Sequence, residues 1–124
     1  MVERTPLQNI IVEMKTFYLT TAIDYPSGPP HIGHAYEKIM GDCIARWHRL
    51  LGEDVFFLTG ADEHGQKIQK YAAEAGKEPQ TFVNEMSSRF TDLWEKLGIS
   101  NDSFIRTTDQ KHTNVCRDIF TRIF

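Results

Sequence analysis

The hydrophobic positions along the chain change period several times, and each change marks an element. Residues 17–23 are aromatic and β-branched and run into a turn cluster at 24–30, which predicts a strand ending in a loop. From Gly33 the period becomes helical. Tyr36, Met40, Cys43, Trp47 and Leu50 or Leu51 recur three or four apart, and Gly52 follows as a stop. Val55, Phe56, Phe57 and Leu58 then form an unbroken apolar run, as expected of a strand covered on both faces.

Two helical stretches come next. Ile68, Tyr71, Ala72 and Ala75 mark a short one ending near Gly76. Phe82, Met86, Phe90, Leu93 and Leu97 mark a longer one, with Pro79 suited to its first turn and Gly98 to its end. Residues 104–107 read as a third, weaker strand. Thr107 and Gln110 have capping-box spacing ahead of a helix through Val115, Ile119 and Ile123. Strand, helix, strand, helix pair, strand, helix predicts an α/β domain with a mostly parallel sheet. The apolar pattern stops at Phe124 without a C-cap, so a truncated domain is expected. Residues 1–14 read as an extension or leader, because the first strong strand follows Met14 and Lys15, and 15–124 as the domain itself.

Composition narrows the class. With 40% hydrophobic and 25% charged residues, the chain has material for a core. A net charge of -3 gives no overall attraction to nucleic acid, so an RNA partner would need a local basic surface or one elsewhere. Cys43 and Cys116 form no C-x-x-C pair and read as reduced core thiols. No apolar run approaches the ~20 residues of a membrane span. The expected location is the cytoplasm.

The chemistry concentrates in two places. Pro30-His31-Ile32-Gly33-His34 lies between the first strand and the start of the long helix. Ligands of open α/β sheets bind at the carboxyl ends of strands, and a helix N-terminus favours phosphate there. Two imidazoles add donors, and Gly33 lets a flat ligand approach the backbone. The second place is residues 59–65, Thr-Gly-Ala-Asp-Glu-His-Gly, at the end of the next strand. There Asp62 faces the same crevice and can take an ammonium or a sugar hydroxyl, while the competing role for Asp62 or Glu63 is to cap the next helix. A P-loop fails at Gln66, where a lysine must directly follow the second glycine. A metal site from His31, His34, His64 and Asp62 lacks any supporting ligand pattern, and no metal is expected. His48 and His112 read as surface positions; Trp47, Trp94 and the stripe from Phe82 to Phe90 read as core.

In this order the two clusters resemble class I aminoacyl-tRNA synthetases, with residues 30–34 similar to their HIGH signature. The narrower resemblance is to the methionyl-tRNA synthetase family, carried by residues 20–36 (TTAIDYPSGPPHIGHAY), 50–68 (LLGEDVFFLTGADEHGQKI) and 97–108. It covers roughly residues 15–124 and implies a Rossmann-like fold, the first half of a doubly wound parallel sheet. It also implies activation of methionine by ATP with Mg2+ and transfer to tRNA(Met). On that resemblance His31 and His34 contact the ATP phosphates, Gly33 lies beneath the adenine and Glu37 approaches the adenosine. Ala22, Ile23 and Tyr25 belong to the methionine pocket, and Asp62 takes the substrate ammonium. The family's KMSKS loop, its zinc-bearing insert, the remaining strands and the anticodon-binding domain are expected from the remainder of a synthetase, with no zinc ligands in this chain. A 124-residue piece is therefore expected to be inactive alone.

Two other readings compete. A small nucleotidyltransferase using its own H-x-G-H is near this length, but it needs a late phosphate-binding signature that residues 111–124 do not supply. A non-catalytic nucleotide- or partner-binding module is the other.

Overall fold

Strand β1 (Thr16–Asp24) feeds helix α1 (Ile32–Leu50), which returns the chain to strand β2 (Asp54–Ala61). Helices α2 (Gln66–Glu74) and α3 (Pro79–Lys96) then carry it to strand β3 (Ser103–Arg106), and helix α4 (Gln110–Ile123) follows. This computed structural model describes residues 14–124; the proposed leader lies outside the described residues, Met14 apart. The three strands form one parallel sheet in the order β1-β2-β3. Both crossovers step the same way, so the preference for right-handed connections puts their helices on one face.

The predicted stops operate as expected. Gly52 and Gly98 follow the C-caps of α1 and α3 with φ of 79° and 66°, conformations that side chains resist. Pro79 occupies the first turn of α3.

On the helix-bearing face, Phe17, Leu19, Val55 and Phe57 pack with Ala45 of α1 and with Ile99. Ala35 at the other end of α1 meets Phe90 and Trp94 of α3, with Phe104 of β3 against them. A third cluster joins Ile68 and Ala72 of α2 to Phe82, Val83 and Met86 of α3, and Tyr25 from the first loop leans on it.

Several sequence expectations fail here, for physical reasons. The stripe Tyr36, Met40, Cys43, Trp47, Leu50 does not enter the core. Trp47 is 61% exposed, and α1 instead buries Ala35, Lys38, Gly41, Asp42 and Ala45. Small residues bring the helix axis close to the sheet: a Cβ on Gly41 would stand 3.0 Å from Thr21 Cγ2 and 3.1 Å from Phe57 Cζ. Strand β2 is covered on one face only along its first half. Val55 and Phe57 are buried, whereas Phe56 is exposed and stacks on exposed Tyr18 with ring centroids 5.9 Å apart. Both thiols are exposed rather than core, with Cys43 on the outer side of α1 and Cys116 on α4, which buries no residue. Thr107 does not cap α4. Its hydroxyl accepts from the Glu63 amide at 2.8 Å, and the cap position falls to Asp109 without a side-chain bond. His48 is half-buried, stacked on Phe17 at 3.5 Å and bonded to Glu53 at 2.6 Å.

Gly60 sets the spacing of β2 and β3. A Cβ there would meet Ile105 O at 2.2 Å, a backbone contact that no rotamer change relieves. Gly60→Ala is expected to cost about 1–3 kcal/mol through overpacking, measured as a lower urea midpoint with an unchanged denaturant slope.

Candidate active site

The strand ends build the site. His31 takes the N-cap position of α1 with extended backbone, and the helix start is closed by a reciprocal capping box. The Gly33 amide donates to His31 Nδ1 at 3.1 Å, and the His31 amide donates to His34 Nδ1 at 3.2 Å. A backbone N–H is always a donor, so each Nδ1 must be the unprotonated nitrogen of a neutral ring. The hydrogen-bond pattern therefore assigns both histidines the Nε2–H tautomer. Two N–H donors stand at the positive end of a helix, an arrangement that suits phosphate oxygens. The rings lie with centroids 3.8 Å apart, and His34 meets the edge of Phe90 at 5.1 Å.

Gly33 also has a local structural reason. A Cβ there would come within 3.0 Å of the His31 ring and within 4 Å of no other group. The glycine makes room for the capping imidazole.

Burial pushes His34 below the ordinary histidine value, with the charge of Lys38 adding to it and Asp24 opposing. Protonation would also place a hydrogen on the Nδ1 that receives the His31 amide. A depressed folded-state value means that stability is present above the unfolded value and lost as pH falls. The thermal midpoint is therefore expected to drop as pH falls below about 6.5, the unperturbed value. His34→Gln keeps an acceptor at the third helical position and should remove that limb, so a pH profile shared by both chains would refute the assignment.

The second cluster sits at the end of β2, next to the first. Asp24 pairs with Ala61, and the Asp62 amide donates to Asp24 O at 2.8 Å, so the two loops leave the same end of adjacent strands. Tyr25 joins them. Its hydroxyl lies where a Cβ on Gly65 would be, 2.6 Å away, and Gly65 has a φ of 127° that suits glycine. Ala22 and Ile23 are exposed at the tip of β1, and Asp62 is half-buried with one oxygen 3.4 Å from the His64 amide. Asp62 and Glu63 do not cap α2, whose N-cap is Gly65 without a side-chain bond. Glu37 is engaged rather than free: Oε1 accepts from the Ala22 amide at 3.0 Å and Oε2 pairs with Lys38 at 2.9 Å. Burial alone would raise its carboxyl, but those bonds win and hold it below the usual range.

Lys38 and Arg106, which the sequence reading passed over, and Glu63, which it offered only as a helix cap, organise this end of the molecule. Lys38 is fully buried, Glu63 has no exposed side-chain area, and Arg106 Nε meets Glu63 Oε1 at 2.6 Å. Ser87 and Thr108 also donate to the Glu63 carboxylate, which ties the second loop to α3 and to the end of β3. A lysine on a helix, a glutamate in a polar turn and an arginine ending a short strand all read as solvated, so only the fold reveals them. Among the described residues no group of three or more His, Cys, Asp or Glu side chains is placed to hold a metal ion, and no helix is long and apolar enough to cross a membrane.

A parallel half-sheet whose first strand opens onto a histidine-capped helix is a nucleotide-binding α/β architecture. The chain belongs to the class I tRNA synthetases of the methionyl type: the family model described as "tRNA synthetases class I (M)" matches residues 17–124. It is 54% identical over 111 residues to the methionine–tRNA ligase of Deinococcus radiodurans, covering 89% of this chain and 16% of that protein. The methionine–tRNA ligase of Listeria monocytogenes is also 54% identical, with 90% and 17% covered. A solved structure of Mycobacterium tuberculosis methionyl-tRNA synthetase in complex with methionyl-adenylate superposes with a TM-score of 0.85 at 49% identity, over 88% of this chain and 21% of that one. The chain thus spans about a sixth of the length of these curated relatives, and the Rossmann-like reading of its sheet agrees with that neighbour.

Proposed function

We propose that this segment forms one wall of the active site of a methionine–tRNA ligase, which joins methionine to ATP as methionyl-adenylate and then passes it to tRNA(Met) in the cytoplasm. The observation that supports it most is the tautomer lock: two Nε2–H donors held at a helix N-terminus by backbone amides. Negative charge grows on the phosphate oxygens as the methionine carboxylate attacks the α-phosphorus, and donors already in place stabilise it without reorganising. Mg2+ accompanies ATP and offsets phosphate charge.

In this reading His31 and His34 bind the phosphates, and Gly33 lies beneath the adenine. Glu37 borders the adenosine from its place on α1. Ala22, Ile23 and Tyr25 line the methionine side of the crevice, and Asp62 takes the ammonium. A thioether offers little to hydrogen-bond, so its selection rests on apolar and aromatic shape. The remainder of the synthetase supplies the opposite wall and the tRNA-binding surface.

The test is ATP–pyrophosphate exchange. A chain of family length that contains this segment should exchange in the presence of methionine, and the 124-residue chain alone should show little. Robust exchange with leucine and none with methionine would reject the proposal.

A further inference from the structure

Strand β1 carries a bulge at the tip that faces the crevice. Thr20 pairs with Leu58 and Ile23 with Gly60, so Thr21 and Ala22 together face the single residue Thr59. A bulge of this kind leaves backbone groups without ladder partners, and other groups must satisfy them. Helix α1 provides them. The Ala22 amide donates to Glu37 Oε1 at 3.0 Å, and Ala22 O accepts from Lys38 Nζ at 2.9 Å.

The ammonium is fully used. An ammonium has three protons, and those of Lys38 go to Ala22 O, to Asp24 Oδ1 at 3.0 Å and to Glu37 Oε2 at 2.9 Å. The side chain has no exposed surface, and its nitrogen stands 5.8 Å from the centre of the Trp94 ring. Asp24 is itself buried, and its Oδ2 has no partner. A buried ion pair is a poor stabiliser compared with apolar residues of similar volume, so retention of one at the tip of β1 calls for another role.

We infer that Lys38 is a positioning residue for the amino-acid side of the crevice: with Asp24 and Glu37 it holds the bulged backbone of Ala22 in the one conformation that presents Ala22 and Ile23 to the substrate. The inference rests on the proposed methionine reading for the identity of that substrate, while the clamp itself stands on the bonds around Ala22. Lys38 touches no reacting atom. It acts through Ala22, so losing it should weaken methionine binding far more than ATP binding and leave the chemical step alone.

The experiment uses the segment within a chain of family length. Lys38→Met leaves Asp24 a buried, unpaired carboxylate and is liable to misfold; the double variant D24N/K38M removes both charges together and keeps the volume. Asp24→Asn alone preserves the ammonium and its bonds to Ala22 O and Glu37, and serves as the conservative rescue.

In methionine-dependent exchange, D24N/K38M should raise the methionine KM about tenfold, the size of one lost hydrogen bond, with a much smaller change in ATP KM through Glu37 and with kcat unchanged. Asp24→Asn should stay near the parent. In parallel, amide hydrogen exchange of the peptide containing Ala22 should quicken about tenfold in the double variant. A folded double variant with the parent's methionine KM overturns the inference, as does one that weakens methionine and ATP alike. A parent without methionine-dependent exchange overturns the proposed function instead, and the Ala22 amide then still decides for or against the clamp.

Discussion

His34→Ala, made in a chain of family length, is expected to lower the rate of methionine-dependent ATP–pyrophosphate exchange by about 10²–10³, the usual effect of removing one preorganised donor to a developing oxyanion. The substitution removes the Nε2–H donor and also the acceptor for the His31 amide. Loss of the cap should reduce stability by about 1 kcal/mol. The two effects separate with His34→Gln, since glutamine at the third helical position can still take the cap amide. That variant should unfold near the parent's temperature while remaining slow. Recovery of the rate along with stability would show that His34 serves the helix and not the phosphates.

The second large effect is structural. Glu63→Ala is expected to destabilise the chain by about 3 kcal/mol, the lower end of the range for breaking a buried pair. The lower end applies because Arg106 keeps 27% of its side chain in water and can be resolvated. Ser87, buried against the same carboxylate, cannot. At roughly 4 °C per kcal/mol for a domain of this size, the thermal midpoint should fall by about 12 °C. Glu63→Gln, which retains the shape and part of the bonding, should lose about half as much. Scanning calorimetry of the three chains checks the order. If Glu63→Ala melts with the parent, the turn after β2 is held by the Thr107 hydroxyl and the strand pairing alone.

Much of the frame was legible along the chain. Seven elements in the right order, with Pro79, Gly52 and Gly98 at their ends, follow from period changes and from two residue types with fixed backbone preferences. The histidine loop was legible for the same local reason: a strand signal, a turn cluster and a helical period meet there. What sequence periodicity missed is which side of a helix goes inward. An apolar stripe reads as a buried one, but α1 turns Gly41 and Ala45 to the sheet and Ala35 to α3, because small side chains let it lie close. The larger Tyr36, Met40 and Trp47 are left outside. Lys38 was invisible for a related reason, since a lysine among helical charges reads as solvated. Its burial depends on a bulge in a strand more than a dozen residues away, and no local pattern records that. The Asp24 carboxyl, raised first by burial although Lys38 pulls it down, was likewise only a turn residue on paper.

The one-sided winding of the crossovers carries a practical consequence for the polypeptide made by itself. Tyr18 and Phe56 stand in solvent on the uncovered side of the sheet, and among the described residues β1 has a ladder partner along only one of its margins. A free strand margin beside an apolar plane is a template for self-association. That margin gives this chain a route to pairing with a second copy of itself, and a lysine in place of Tyr18 is expected to weaken such pairing without touching the histidine loop.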